Sequence, residues 1–387
     1  MRGIKIFFVI LVLFLIWDIV FRQQGRHVDA SDINMLQIAG SQEAATSTAT
    51  TIARKKGGRY AFYVLRAAKF SSGINKHKLG HAVGAVLFQQ EGLAGITACV
   101  DEYRNSCSHA VVAGAMTQEG QAVIPKLVAV CDRSKEGLPG ISRCYHGVGH
   151  GVMVNFGYDF PKTMNLCIAL GTRERNYVES AECMGGAFME FVSKDIHDEK
   201  THTPALKQYF DVVDPLYPCR EAFIPRYLRE HCFHYVPQLL VTRAGLEGKD
   251  KPTAYCSSGV NDEEKKFCYR AFGTQFTLTG ITEDIMEVRE TDHVRLASIV
   301  RQCTLTQSVQ GNQACIEGAL ETILWGGGKE APNVDVAVAL CKAVDDQTRD
   351  GCFRYLIESY FRRPGKYVSK RFCQTLPVEY QLPCGKN

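Results

Sequence analysis

Two pairs of histidines spaced four residues apart, His77 with His81 and His146 with His150, are the side chains of this sequence best suited to chemistry. On a helix, residues i and i+4 rise from one face, so each pair can bind a metal ion or bracket a substrate group. Lys78 and Gly147 stand where the zinc-protease motif HExxH needs its glutamate, which excludes that class. A P-loop, a GxSxG elbow and a dinucleotide fingerprint are likewise absent from the sequence.

The elements that must position these histidines are read from the cysteines. All sixteen fall into consecutive pairs: Cys99/Cys107, Cys131/Cys144, Cys167/Cys183, Cys219/Cys232, Cys256/Cys268, Cys303/Cys315, Cys341/Cys352 and Cys373/Cys384. With no CxxC and no Cys/His finger spacing, they read as disulfides formed in an oxidising compartment. Counting from the second cysteine of each pair, position +4 is apolar throughout (Val111, Val148, Ala187, Val236, Phe272, Ala319, Leu356), and so is position +8 from Ala115 to Tyr360. An amphipathic helix is therefore expected to start at each second cysteine. Another apolar-periodic run precedes the first cysteine in Val123 to Val130, Leu296 to Val300 and Val336 to Leu340.

These two helices form an antiparallel hairpin whose adjacent ends a disulfide can join, since that needs Cα atoms within about 7 Å. Closing such a short loop contributes about 3 kcal/mol in the chain-entropy argument. One hairpin without cysteines, residues 59–70 and the helix opening at His77, precedes the rest. The expected fold is all-α, a solenoid-like array of disulfide-stapled hairpins with a period of roughly 32 to 39 residues. In architecture it resembles tetratricopeptide arrays, although their Trp, Leu-Gly and Tyr signature is missing.

In such a helix, positions +2 and +6 share a face distinct from the buried one. Through the hairpins that stripe reads His77/His81, His109/Ala113, His146/His150, Gly185/Met189, His234/Gln238, Arg270/Thr274, Glu317/Glu321 and Arg354/Glu358. Packed helices lie about 8–10 Å apart, so His77, His81, His109, His146 and His150 are expected to converge on one centre, with His234 too far along to join. With the thiols consumed by disulfides, imidazole and carboxylate ligands favour Zn, Cu, Ni or Fe. Glu190, at +7, is the candidate carboxylate ligand or general base. His234, Arg270, Glu317 and Arg354 mark a charged groove for a protein or peptide.

Gly147, Gly149 and Gly151 each cost a helix about 1 kcal/mol against alanine, so something offsets them. Close packing accounts for Gly147, because Ala110, Gly186 and Gly318 occupy the same +3 position. Packing and close approach of a ligand both remain open for Gly149 and Gly151.

The net charge of +4 over 387 residues argues against a nucleic-acid partner. Arg2 and Lys5 precede an apolar run from Ile6 to Trp17, so residues 1–21 read as a signal anchor or signal peptide, placing the remainder outside the cytoplasm. Residues 22–58, rich in Ala, Thr and Ser, read as a flexible stalk, and 59–387 as the repeat domain. Two long gaps between cysteines carry His197-Asp198-Glu199 with His202, and an acidic run from Glu283 to Asp292 followed by His293; both are expected as loops on one face. Two functions follow: an extracytoplasmic membrane-anchored module that binds or scaffolds proteins, or a histidine transition-metal site for catalysis or metal handling.

Overall fold

A computed structural model describes residues 28–70, 74–99, 103–134, 138–171, 176–193, 217–235, 256–257, 261–280, 292–326, 333–361 and 370–384. The apolar run within residues 1–21, the turn expected at 71–73, the loop histidines His197 and His202 and the acidic residues from Glu283 to 291 lie outside them. Among the described residues every regular element is helical, and no helix is long and apolar enough to cross a membrane.

Eight disulfides join the cysteine pairs expected from the sequence: Cys99–Cys107, Cys131–Cys144, Cys167–Cys183, Cys219–Cys232, Cys256–Cys268, Cys303–Cys315, Cys341–Cys352 and Cys373–Cys384. Their Cα–Cα distances are 5.3–5.6 Å, and no cysteine is free. Fifteen of the sixteen cysteines are buried. Such a framework fits an oxidising compartment outside the cytoplasm.

The N-terminal third comprises α1 (Ala30–Gln37), α2 (Gln42–Lys56), α3 (Gly58–Ala67), α4 (Lys76–Glu91) and α5 (Ser106–Glu119). Next come α6 (Ile124–Asp132), α7 (Leu138–Asn155), α8 (Phe160–Leu170) and α9 (Asn176–Ser193). The C-terminal part holds α10 (Asp262–Gly280), α11 (His293–Thr304), α12 (Val309–Gly326), α13 (Val334–Ala343), α14 (Asp346–Phe361), α15 (Lys370–Thr375) and α16 (Val378–Cys384).

Helices carrying the +4 and +8 positions pack directly on one another, as does α4: α4 on α5, α5 on α7, α7 on α9, α10 on α12 and α12 on α14. Those ending near the first cysteine, α6, α11 and α13, pack against the helix to which their disulfide ties them, through Cys131–Cys144 for α6 and α7. Every described residue at +4 and +8 is buried, so the periodicity identifies the core face.

Three expectations need correction. The flexible stalk expected over 22–58 is instead helical from Ala30 to Gln37 and from Gln42 to Lys56, so the folded part begins well before Arg59. Alanine there is not a linker residue: Ala45, Ala49 and Ala53, with Ile52, form a buried, mostly small-side-chain stripe along which α2 packs against α3 and α4. Ser41 caps α2 by accepting from the Ala44 amide at 3.2 Å, and Lys56 pairs with Asp29 and Asp32 at 2.6 and 2.7 Å. Alanine's high helix propensity supports the same outcome.

The second correction concerns helix starts. α7, α9, α10, α12 and α14 begin at Leu138, Asn176, Asp262, Val309 and Asp346, well before Cys144, Cys183, Cys268, Cys315 and Cys352. The helical turn around Cys232 likewise begins earlier, at Arg229, and α16 ends rather than starts at its second cysteine, Cys384. Only at Cys107 does the helix open where expected, α5 beginning one residue before it at Ser106. In α10 and α14 the early turns are mainly polar (Asp262 to Lys266, Asp346 to Gly351) and leave no apolar period to read.

The third concerns two of the staples, Cys99–Cys107 and Cys219–Cys232, which do not join the ends of two α-helices as expected. Cys107 is bonded to a cysteine that follows a 3₁₀ segment, Gly92–Ala98, which begins where Gly92 ends α4 at a φ of 57°. Cys232 is bonded to Cys219, which lies in a turn just after Pro218. Proline there has no N–H to donate, and Pro225 next precedes a 3₁₀ segment, Arg226–Leu228, that leads into the turn around Cys232.

Candidate metal centre

Glycine decides how closely the histidine-bearing helices approach. A Cβ on Gly149 of α7 would lie 1.9 Å from the Cys183 carbonyl oxygen of α9, and one on Gly186 of α9 would lie 1.9 Å from the His146 carbonyl oxygen of α7. The two helices thus meet backbone to backbone, a geometry in which Cα–H groups face carbonyl oxygens. The same reciprocal crossing recurs between α10 and α12, where Gly273 faces the Cys315 carbonyl and Gly318 the Arg270 carbonyl. Gly147 and Gly151 face Val112 and Met116 of α5. Packing therefore accounts for all three glycines, and close approach of a ligand is not what Gly149 and Gly151 serve.

With the backbones this near, the histidines of three packed helices, α4, α5 and α7, come into ring contact. Ring centroids are 4.6 Å apart for His77 and His81, 5.7 Å for His81 and His109, 4.1 Å for His109 and His150, and 5.1 Å for His109 and His146. The five do not share one centre as expected. They form two triads, His77/His81/His109 and His109/His146/His150, in each of which one donor atom per residue lies within 4.8 Å of the others. Zn–N bonds of about 2.0–2.1 Å place donors of one ion about 3–4 Å apart, within reach of small side-chain adjustments.

Each triad is oriented from outside. The His77 Nδ1–H donates to the Tyr103 carbonyl at 2.5 Å, which directs Nε2 toward His81 Nε2 at 3.0 Å. Tyr103 adopts a positive φ of 52°, as does Asn105 at 62°, in the turn that presents this carbonyl at the start of α5. In the other triad the His150 Nδ1–H donates to Glu190 Oε2 at 2.8 Å, and the Tyr158 hydroxyl donates to Glu190 Oε1 at 3.1 Å. A histidine held by a carboxylate through one nitrogen and free to ligate through the other is the usual support of a metal-binding imidazole. His146 adds Glu182 at 3.6 Å from Nδ1 and the Met189 thioether sulfur at 3.4 Å from Nε2.

His109 sits in the middle and is 1% exposed. Neither of its ring nitrogens has a hydrogen-bond partner. Burial, then the neighbouring imidazoles, holds its pKa well below the usual histidine value. Burial, followed by His150, pushes His81 down to about 4. Both rings are neutral at pH 7 and present lone pairs rather than charge. Burial by itself would raise the Glu190 carboxyl; the His150 hydrogen bond and charge outweigh it and keep Glu190 below the usual glutamate range.

Glu190 touches the cluster through His150 and joins neither triad, so its place is that of an orienting carboxylate. His234, ring-packed on Tyr235 at 4.8 Å, also joins neither. Tyr103, Tyr158, Glu182 and Met189 escaped assignment from sequence. Only Met189 carried a legible signal, its place at +6 on the histidine stripe.

The charged half of the stripe forms a separate feature. Arg270 bonds Glu321 and the Tyr355 hydroxyl, its Nε lies 3.9 Å from Glu317, and Lys266 pairs with Glu317 at 3.3 Å. These residues, with exposed Arg354, line an open groove of about 1300 Å³. Comparison with protein-family models, curated proteins and solved structures returned no match.

Proposed function

We propose that this protein binds a transition metal through His77, His81, His109, His146 and His150. The observation that carries the reading is His109, a fully buried imidazole with both nitrogens unpartnered and four other imidazoles around it. Leaving buried polar atoms unsatisfied costs about 1–3 kcal/mol each, and a bound ion would offset that cost. Neutral imidazoles suit Zn, Cu, Ni and Fe, and the Met189 sulfur adds a soft donor that favours Cu among them. In the full reading the stapled hairpins stack as an array, and residues 1–21 anchor it to a membrane with the folded part outside the cytoplasm.

Elemental analysis of the purified protein after Cu(II) or Zn(II) loading tests this. Stoichiometric metal is expected, and it falls sharply in His146→Ala/His150→Ala with all eight bridges intact. Absence of bound metal in both proteins would overturn the reading.

The charged groove supports a second reading, a peptide or protein partner held at Arg270, Glu317 and Arg354; His234, expected on the same groove, is not among the residues that line it. Charge reversal at exposed Arg354 would then weaken capture of that partner and leave metal content unchanged.

A further inference from the structure

We infer that the cluster holds two ions, with the His109 imidazole shared between them. The inference rests on the metal reading above. Two triads intersect at His109 alone, and each brings two further imidazoles of its own. A single ion with bonds near 2 Å cannot serve both sets, because the donors of the five histidines do not gather within one 4.8 Å group.

An imidazole has two nitrogens on different edges of the ring, and at His109 both are buried without a hydrogen-bond partner. One ordinary ligand histidine would leave one nitrogen for a carbonyl or carboxylate, as His77 does with Tyr103 and His150 with Glu190. His109 has no such group, so its second nitrogen has a use only if it also binds. The separate anchors point the same way, since each centre has its own orienting group, the Tyr103 carbonyl on His77 and the Glu190 carboxylate on His150.

Filling both nitrogens converts the ring to an imidazolate. Its N–H proton passes to solvent, and the negative charge gained lies between the two cations. Three nitrogen donors at each centre match the protein ligand number of open zinc and copper sites, leaving a position for water or substrate. The centres are unequal: among the described residues a thioether, Met189, contacts His146 of the second triad, so the second centre is the softer one.

Cu(II) titration of the full-length, fully oxidised protein tests the bridge, with copper counted by elemental analysis and spins by electron paramagnetic resonance. Two coppers per chain are expected, with a spin count well below the copper count because an imidazolate couples the two ions antiferromagnetically. His77→Ala/His81→Ala should bind one copper per chain with its full spin count. In His109→Ala, checked for eight bridges and native helicity, any copper that binds should be fully visible. One copper per chain in the unmodified protein overturns the shared bridge while leaving the metal reading standing, as does a pair with full spin count. No copper at all overturns both.

Discussion

His150 on α7 donates to Glu190 on α9 at 2.8 Å, across the same interface where Gly149 and Gly186 bring the two helices together. The carboxylate fixes which imidazole nitrogen faces the cluster and raises its basicity. Glu190→Gln keeps an acceptor but removes the charge, and is expected to lower metal affinity about 10- to 100-fold in chelator competition. Tyr158→Phe should cost less, since the carboxylate keeps its bond to the histidine.

The glycine crossing separates packing from propensity. Gly149→Ala and Gly186→Ala each place a methyl group 1.9 Å from a backbone oxygen, so the helices must move apart, and a loss of about 1–3 kcal/mol is expected in denaturant unfolding. Metal affinity should fall with it. Gly185→Ala is the control: its Cβ would meet nothing nearer than 3.6 Å, and the change should stabilise by up to about 1 kcal/mol.

Disulfide removal should act locally. Replacing Cys131 and Cys144 with alanine opens the hairpin that carries His146 and His150, at an expected cost of about 3 kcal/mol together with weaker metal binding. Removing Cys373–Cys384, at the other end of the chain, should leave metal affinity unchanged.

Acid should weaken the metal-free fold in a defined window. His81 titrates near 4 when folded against an ordinary histidine value of about 6.5 when unfolded, so between those pH values the unfolded chain binds a proton that the folded chain refuses. Stability is therefore unaffected by this group above pH 6.5 and is lost as pH falls from 6.5 toward 4. The depressed pKa of buried His109 acts in the same direction. Each such histidine contributes a slope of about 1.4 kcal/mol per pH unit, measurable as a falling unfolding midpoint. A melting temperature independent of pH between about 7 and 4.5 would contradict it.

The pairing of all sixteen cysteines was legible because each pair is close in sequence and most lie beside helices that repeat one buried face. What the pairing could not tell is which element each cysteine sits on: Cys107 and Cys232 are tied to a 3₁₀ end and a proline turn, where glycine and proline break the helical pattern. The histidine stripe was legible because +2 and +6 share a helix face whatever the helix packs on. Sequence could not reveal that the rings divide into two triads, because this depends on the offset between α4, α5 and α7, set by Gly80, Gly84, Gly147 and Gly151 against their neighbours. Nor could it reveal Tyr103 and Tyr158, which reach the site from turns with φ of 52° and 66°. The helices over 30–56 were missed because alanine and threonine read alike in a linker and in a tightly packed helix.

Each cysteine in this chain is bonded to its immediate neighbour among the cysteines, first to second, third to fourth and onward through the last pair. In a chain that meets an oxidising compartment N-terminus first, the correct partner of every unpaired thiol is therefore the next one to arrive. Eight cysteines alone allow 105 pairings, yet a chain oxidised in order of arrival never has to choose among them. Pairing in that order leaves no mismatched bond to be reshuffled.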